Sequence, residues 1–199
     1  MLMRAKSVTE RARRAQIVDA AIATLAELGY GATSFKQIAA RAGLSSTGLI
    51  SYHFKGKQEL VDEVRAEVHR RFTAFVLDRM DRADTARGEL EAFLRANLRF
   101  MAAHRPEMVA LLQVRPHVST ADDADSSTSS DDDHRKMADL LREGQSAGEF
   151  REFDADAMAI FVLALRNGVL ARAADHAEVD LDLCERELIT MVGLAVTKG

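Results

Sequence analysis

The chain has 199 residues, 47% of them hydrophobic and 29% charged, with a net charge of −4 at neutral pH. That length and balance suit a globular chain of one medium domain or two small ones. A single cysteine, Cys184, excludes an internal disulfide framework and a cysteine-based zinc site, while the absence of Trp and the two prolines favour helices over sheets.

Charge is unevenly distributed along the chain. Residues 1–57 hold nine Lys/Arg against three acids, a net of +6, so the acidic excess lies wholly in the remainder. A basic head on an acidic body is the electrostatic footprint of a polyanion binder. The N-terminus, MLMRAKSVTERARRAQ, is too charged and interrupted for a secretory leader. No run of about 18 consecutive apolar residues occurs, so no membrane span is expected and the expected location is cytoplasmic.

Residues 1–8, with Arg4 and Lys6, read as a loose basic arm able to reach DNA. Ser7 to Glu10 then offers a capping box, and Ile17, Ala21, Leu25 and Leu28 repeat at helical spacing up to a stop at Gly29. Between Thr33 and Lys57 the pattern becomes denser. Phe35, Ile38, Ala39 and Ala42 make one apolar face, Ser34 can cap it with Gln37 three residues on, and Gly43 suits the left-handed stop. Ser45 or Ser46 is placed to cap a second short helix, in which Leu49, Ile50 and Phe54 are expected to face inward. Thr47, Gly48, Ser51, Tyr52 and His53 are left outward, with Lys36, Arg41, Lys55 and Lys57 flanking them. Two short helices joined by a Gly-containing turn read as a helix-turn-helix, with hydroxyls, a phenol and an imidazole for base edges and cations for phosphates.

The run Gly29–Leu60, GYGATSFKQIAARAGLSSTGLISYHFKGKQEL, resembles the N-terminal signature of the TetR family of bacterial transcriptional regulators. The resemblance rests on the aromatic after Gly29, the Thr33-Ser34 pair, the Ile-Ala-x-x-Ala-Gly run at 38–43, the segment from Gly48 to Phe54 and the lysines at 55 and 57. Two departures stand out: one residue more than the commonest spacing between Gly43 and Gly48, and Ser51 where a tyrosine is frequent. The resemblance implies an all-α fold with a three-helix DNA-binding domain at 1–56 and a larger helical effector-binding and dimerisation domain at 57–199. It implies DNA contacts from Thr33, Ser34, Lys36, Ser45, Ser46, Thr47, Gly48, Ser51, Tyr52, His53, Lys55 and Lys57. The expected partner is a palindromic double-stranded operator.

Beyond Lys57, Leu60, Val64, Val68, Phe72, Phe75 and Met80 continue one helical face, and Thr85 to Ala103 repeats the pattern through Leu90, Phe93, Leu94, Leu98 and Met101. Pro106 suits the first turn of the next helix. Ser119 to Asp133 contains no basic or bulky apolar residue and reads as a mobile loop; as a calcium loop it fails, with Thr128 at the sixth position and His134 at the twelfth. Helices are expected at His134–Ala147, from Asp154, where 157–165 is apolar almost all round, and from Asp180. The last two, at 154–173 and 180–196, resemble the pair through which TetR-family members form a homodimer.

The resemblance also implies a cavity for a small-molecule inducer, for which Phe72, Phe93, Asn97, Phe100, Phe161 and Leu165 are the candidates. On periodicity alone they read more readily as core, and Asn97 as a bond to a neighbouring helix. A repressor released by a small apolar ligand is therefore the first reading. A ligand-independent regulator, constitutive or controlled by a protein partner, is the alternative. An all-helical enzyme is the remote third: phosphate-loop, dinucleotide, HExxH and Glu-x-x-His patterns are absent, so neither catalytic residues nor a cofactor is expected.

Overall fold

The computed structural model describes residues 2–80, 83–114 and 123–197. The described residues form nine α-helices and no strand: α1 (Leu2–Ala32), α2 (Phe35–Arg41), α3 (Gly48–His53), α4 (Lys57–Met80), α5 (Ala86–Ala103), α6 (Arg105–Val114), α7 (Asp123–Ser146), α8 (Ala155–Asp175) and α9 (Leu181–Val196). The all-α expectation holds.

Two compact units result, Met1–Arg71 with Pro106–Ser119 and Phe72–Arg105 with Thr120–Gly199. In the first, Ile17, Ala21 and Leu25 of α1 pack with Ile38 and Ala39 of α2, Ile50 of α3, Phe54, and Leu60, Val61, Val64 and Val68 of α4. Ala110 and Val114 of α6 complete this core. A head of some fifty residues buries too little apolar surface to be secure alone. The start of α4 and all but the first residue of α6 enlarge it, each fully buried Leu, Ile or Val side chain being worth about 1.5–3 kcal/mol. The unit is thus larger than the 1–56 segment. Arg71 adds polar ties within it, pairing with Asp19 of α1, with Glu67 one turn back and with Glu107 of α6 at 3.4 Å.

Several expectations are corrected here. The helix expected from Ser7 begins at Leu2, because extending a formed helix adds a hydrogen bond per residue without a nucleation cost. The side chains of residues 1–8, and with them the DNA contacts expected of Arg4 and Lys6, lie outside the described residues. Gly29 does break the helix, at φ 75° and ψ 168°, before a last turn to Ala32. Leu28, expected on the core face, is 40% exposed. The acidic stretch expected as a loop is helical from Asp123, since α7 is anchored at its other end by buried Met137, Ala138, Leu140 and Leu141 and propagates backwards from that anchor. Residues 119–122 of that stretch lie outside the described residues.

In the second unit α5 packs against α7, α8 and α9, α7 also meets α8, and α8 meets α9. Thr85, Asp154 and Asp180 cap α5, α8 and α9 by accepting from Gly88, Ala157 and Leu183 N–H groups at 3.0, 2.8 and 2.9 Å, satisfying donors that a helix start leaves open. Glu149 supports the first of these caps by accepting from the N–H groups of Ala86 and Arg87.

Candidate DNA-binding surface

The turn between α2 and α3 is set by hydrogen bonding. Ser34 caps α2 by accepting from Gln37 N–H, and its hydroxyl also bonds Gln37 Oε1. At the other end Leu44 N–H donates to Ala39 O at 2.9 Å and Gly43 N–H to Ala40 O at 3.2 Å, the paired closure of a Schellman motif with Gly43 at φ 64°. A residue with a Cβ is strained in that conformation, which accounts for the glycine.

α3 starts one residue later than the serines anticipated. Its N-cap is Thr47, whose carbonyl accepts from Ile50 and Ser51 N–H at 3.0 Å each, and it makes no side-chain cap bond. Ser45 and Ser46 therefore lie upstream of the capping position, and both are exposed. Only Ile50 and the following Phe54 are fully buried, at 0% and 1%. Leu49, expected inward, is 39% exposed, because a helix of six residues resting on Ile50 and Phe54 turns its neighbour away from the core. Leu49, Tyr52 and His53 consequently share one face, being i, i+3 and i+4. Tyr52 is 74% exposed and meets the His53 ring edge-on at 5.1 Å. An open cleft of about 550 Å³ beside this face is lined by Glu10, Arg11, Arg14, Tyr52 and His53.

Ser34, Lys36, Thr47, Gly48, Ser51 and Lys55 are also exposed. The Ser51 hydroxyl turns back to Thr47 O at 3.3 Å. Thr33 is corrected: it is 4% exposed, and its hydroxyl donates to Gly29 O at 2.7 Å, so it holds the end of α1 from inside. Lys57 has a similar attachment. Its ammonium donates to Tyr30 O at 2.5 Å and sits 4.0 Å from the Tyr30 ring centroid, and burial lowers its pKa. Arg41 pairs with Glu27.

The six effector candidates separate in the second unit. Phe100, fully buried, meets Phe72 edge-on at 5.2 Å and Phe75 at 5.3 Å and stacks on His104 at 4.6 Å. Asn97 is 2% exposed and its amide donates to Phe93 O of its own helix at 2.8 Å. The Phe93 ring carries the Arg166 guanidinium at 5.2 Å. Phe161 and Leu165, by contrast, are 60% and 39% exposed on α8, and the unit does not enclose them with the rest.

Comparison with known proteins decides the family. The model of bacterial regulatory proteins of the tetR family matches residues 17–64, and that of the tetracyclin repressor-like C-terminal domain matches 83–171. The HTH-type transcriptional repressor KstR2 of Mycolicibacterium smegmatis is 31% identical over 159 residues, covering 75% of this chain and 74% of that protein. The chain belongs to the TetR family. It is a DNA-binding transcriptional regulator and not an enzyme. A TetR-like regulator from Rhodococcus sp. RHA1 has the same fold at TM-score 0.76 and 25% identity, covering 92% of this chain and 96% of its own. So does a transcriptional regulator from Saccharomonospora viridis solved in complex with choline, at TM-score 0.81 and 24% identity over 94% of this chain and 98% of that one.

On α8 and α9 the fold leaves large apolar side chains uncovered. Ile160, Phe161 and Leu165 of α8 and Leu183, Met191 and Leu194 of α9 are all at least 39% exposed. By length and composition α8 would also pass for a membrane span, although Arg166 and Asn167 interrupt its middle.

Proposed function

We propose that the protein is a repressor that reads a palindromic operator as a homodimer and is released by a small-molecule effector. The reading is carried by the exposed face of α3, where Leu49, Tyr52 and His53 stand together beyond a core that anchors the helix from behind. Tyr52 and His53 suit base-edge hydrogen bonds, and Leu49 suits a thymine methyl. Ser34, Ser45, Ser46, Thr47, Gly48 and Ser51 lie around this face, with Lys36 and Lys55 for phosphates. Lys57 acts from behind, pinning the start of α4 to Tyr30.

The dimer is proposed through α8 and α9, whose exposed leucines, Met191, Ile160 and Phe161 form the kind of apolar face that association covers. Two-fold symmetry then sets the reading helices one DNA turn apart, about 34–36 Å, and the operator mirrors it. The repressor role is supported by the name of the 31% identical relative. Effector response is supported by the choline complex of a protein of the same fold. The proposed effector site is the aromatic cluster of Phe72 and Phe100 with Phe93 and Asn97, and α4, which contributes residues to both units, is the proposed carrier of the signal. A ligand acts only by favouring one of two states of that helix, and a coupling of about 1–3 kcal/mol suffices.

The test is selection of a duplex from a random pool by the full-length protein, followed by sedimentation of the complex. A palindromic consensus bound by two chains supports the proposal. An asymmetric consensus bound by a single 21.9 kDa chain refutes it.

A further inference from the structure

We infer that Arg14 of α1 is a positioning residue for sequence reading, fixing the roll of α3 and thereby the presentation of Leu49, Tyr52 and His53. The inference rests on α3 being the reading helix. Six residues make less than two turns, too short to hold a helical shape without tertiary support. Its N-cap contributes no side-chain bond, and its buried anchors, Ile50 and Phe54, are four residues apart on one line of the helix. Two anchors on a line leave rotation about that line to be set by something else.

Arg14 is placed to set it. Its Nη1 donates to His53 O at 2.9 Å, at the end of α3 where carbonyls lack intrahelical partners and the helix dipole is negative. The guanidinium carbon lies 4.3 Å from the Phe54 ring centroid, and Nη2 pairs with the Glu63 carboxylate of α4. One planar fork thus joins α1, the last residue of α3, the buried anchor behind it and α4. A lysine supplies the same charge at one point and cannot hold these partners in fixed directions. Arg14 is half-buried and Glu63 is similarly placed, so the pair adds little stability by itself. Its consequence is geometric, because His53 both accepts this bond and carries a reading side chain.

Arg14 also lines the cleft beside Tyr52, so a direct phosphate contact is the competing role. The full-length wild type, Arg14→Lys, Glu63→Ala and Tyr52→Ala are compared on the selected duplex and on a scrambled duplex of the same length, over a range of salt. If Arg14 positions α3, both Arg14→Lys and Glu63→Ala lower the preference for the selected duplex roughly tenfold, the size of one weakened base contact. Affinity for the scrambled duplex and the salt slope stay at wild-type values. Glu63 decides the matter: as an acid it binds no phosphate, and if Arg14 were a phosphate contact its removal would leave binding to every duplex as tight or tighter. Unchanged preference in both variants overturns the inference, as does a uniform loss in Arg14→Lys with the salt slope lowered by about one unit. A lower melting temperature with preference intact overturns it too. If Tyr52→Ala also keeps full preference, α3 is not the reader and the inference falls with that reading; if Tyr52→Ala loses preference and the other two do not, only the role of Arg14 fails.

Discussion

Gly144 is a position where adding one carbon should be felt across the second unit. A Cβ built there would lie 2.2 Å from Cδ2 and Cε2 of Phe150, whereas ordinary contact begins near 3.4 Å. The ring would have to move by about 1.2 Å, yet Phe150 is 1% exposed and close-packed cores yield little. Overpacking of this kind costs about 1–3 kcal/mol, rising toward about 3–5 kcal/mol if the ring is expelled altogether. The backbone adds to this, since Gly144 O accepts from both Glu149 and Phe150 N–H, and Glu149 in turn holds the first N–H groups of α5. Gly144→Ala should therefore destabilise the protein by about 2–4 kcal/mol. Urea denaturation followed by circular dichroism measures it as a lower midpoint at unchanged slope. In Phe150→Ala the same Gly144→Ala change should cost almost nothing, giving a coupling as large as the single effect, about 2–4 kcal/mol. A Gly144→Ala variant within about 0.5 kcal/mol of wild type, or single effects that simply add, would refute the packing argument.

Three further outcomes are expected. Lys55→Ala should weaken binding to all duplexes alike and lower the salt slope by about one unit, whereas Lys57→Ala, having lost a contact to Tyr30, should lower the head's melting temperature with the salt slope kept; reversed results would exchange the two roles. Desolvation raises the Glu67 carboxyl pKa, but its bonds to Arg71 and Arg70 outweigh this and hold it below the ordinary value, so its stabilising share is full above about pH 4.3 and is lost as pH falls through the lower folded value. Glu67→Gln should flatten the acid side of the melting-temperature profile, and an unchanged profile would assign acid sensitivity elsewhere. Phe161→Glu should shift the sedimentation equilibrium at micromolar concentration toward the 21.9 kDa chain without lowering helix content, and a persistent dimer would move the interface away from α8.

The fold was legible where local chemistry and burial agree. Ser34, Gly43, Thr85, Asp154 and Asp180 mark helix ends by bonds between near neighbours, and each stands where it was expected. Leu49 and Leu28 were misread because periodicity shows that a residue is apolar, not whether another element arrives to cover it. The acidic start of α7 was misread for a related reason: composition gives no sign that the helix extends back fourteen residues, from its buried anchor at Met137 to Asp123. Within the site, Tyr52 and His53 could be placed from their spacing to Ile50 and Phe54. The attachments of Thr33 to Gly29, of Lys57 to Tyr30 and of Arg14 to His53 span from 4 to 39 positions, and no spacing rule encodes the longer ones. Among the effector candidates, Phe72 of α4 and Phe100 of α5 meet edge-on, a pairing that a one-dimensional pattern does not specify.

The central claim is that α3 reads sequence through its exposed face, and its most direct measurement is the relative affinity of Tyr52→Ala and Leu49→Ala for the selected duplex and its single-base variants. The account predicts a loss of about 1–3 kcal/mol on the selected duplex for each, confined to one base step per half-site, with melting temperature and salt slope unchanged. Wild-type affinity and base preference in both variants would contradict it.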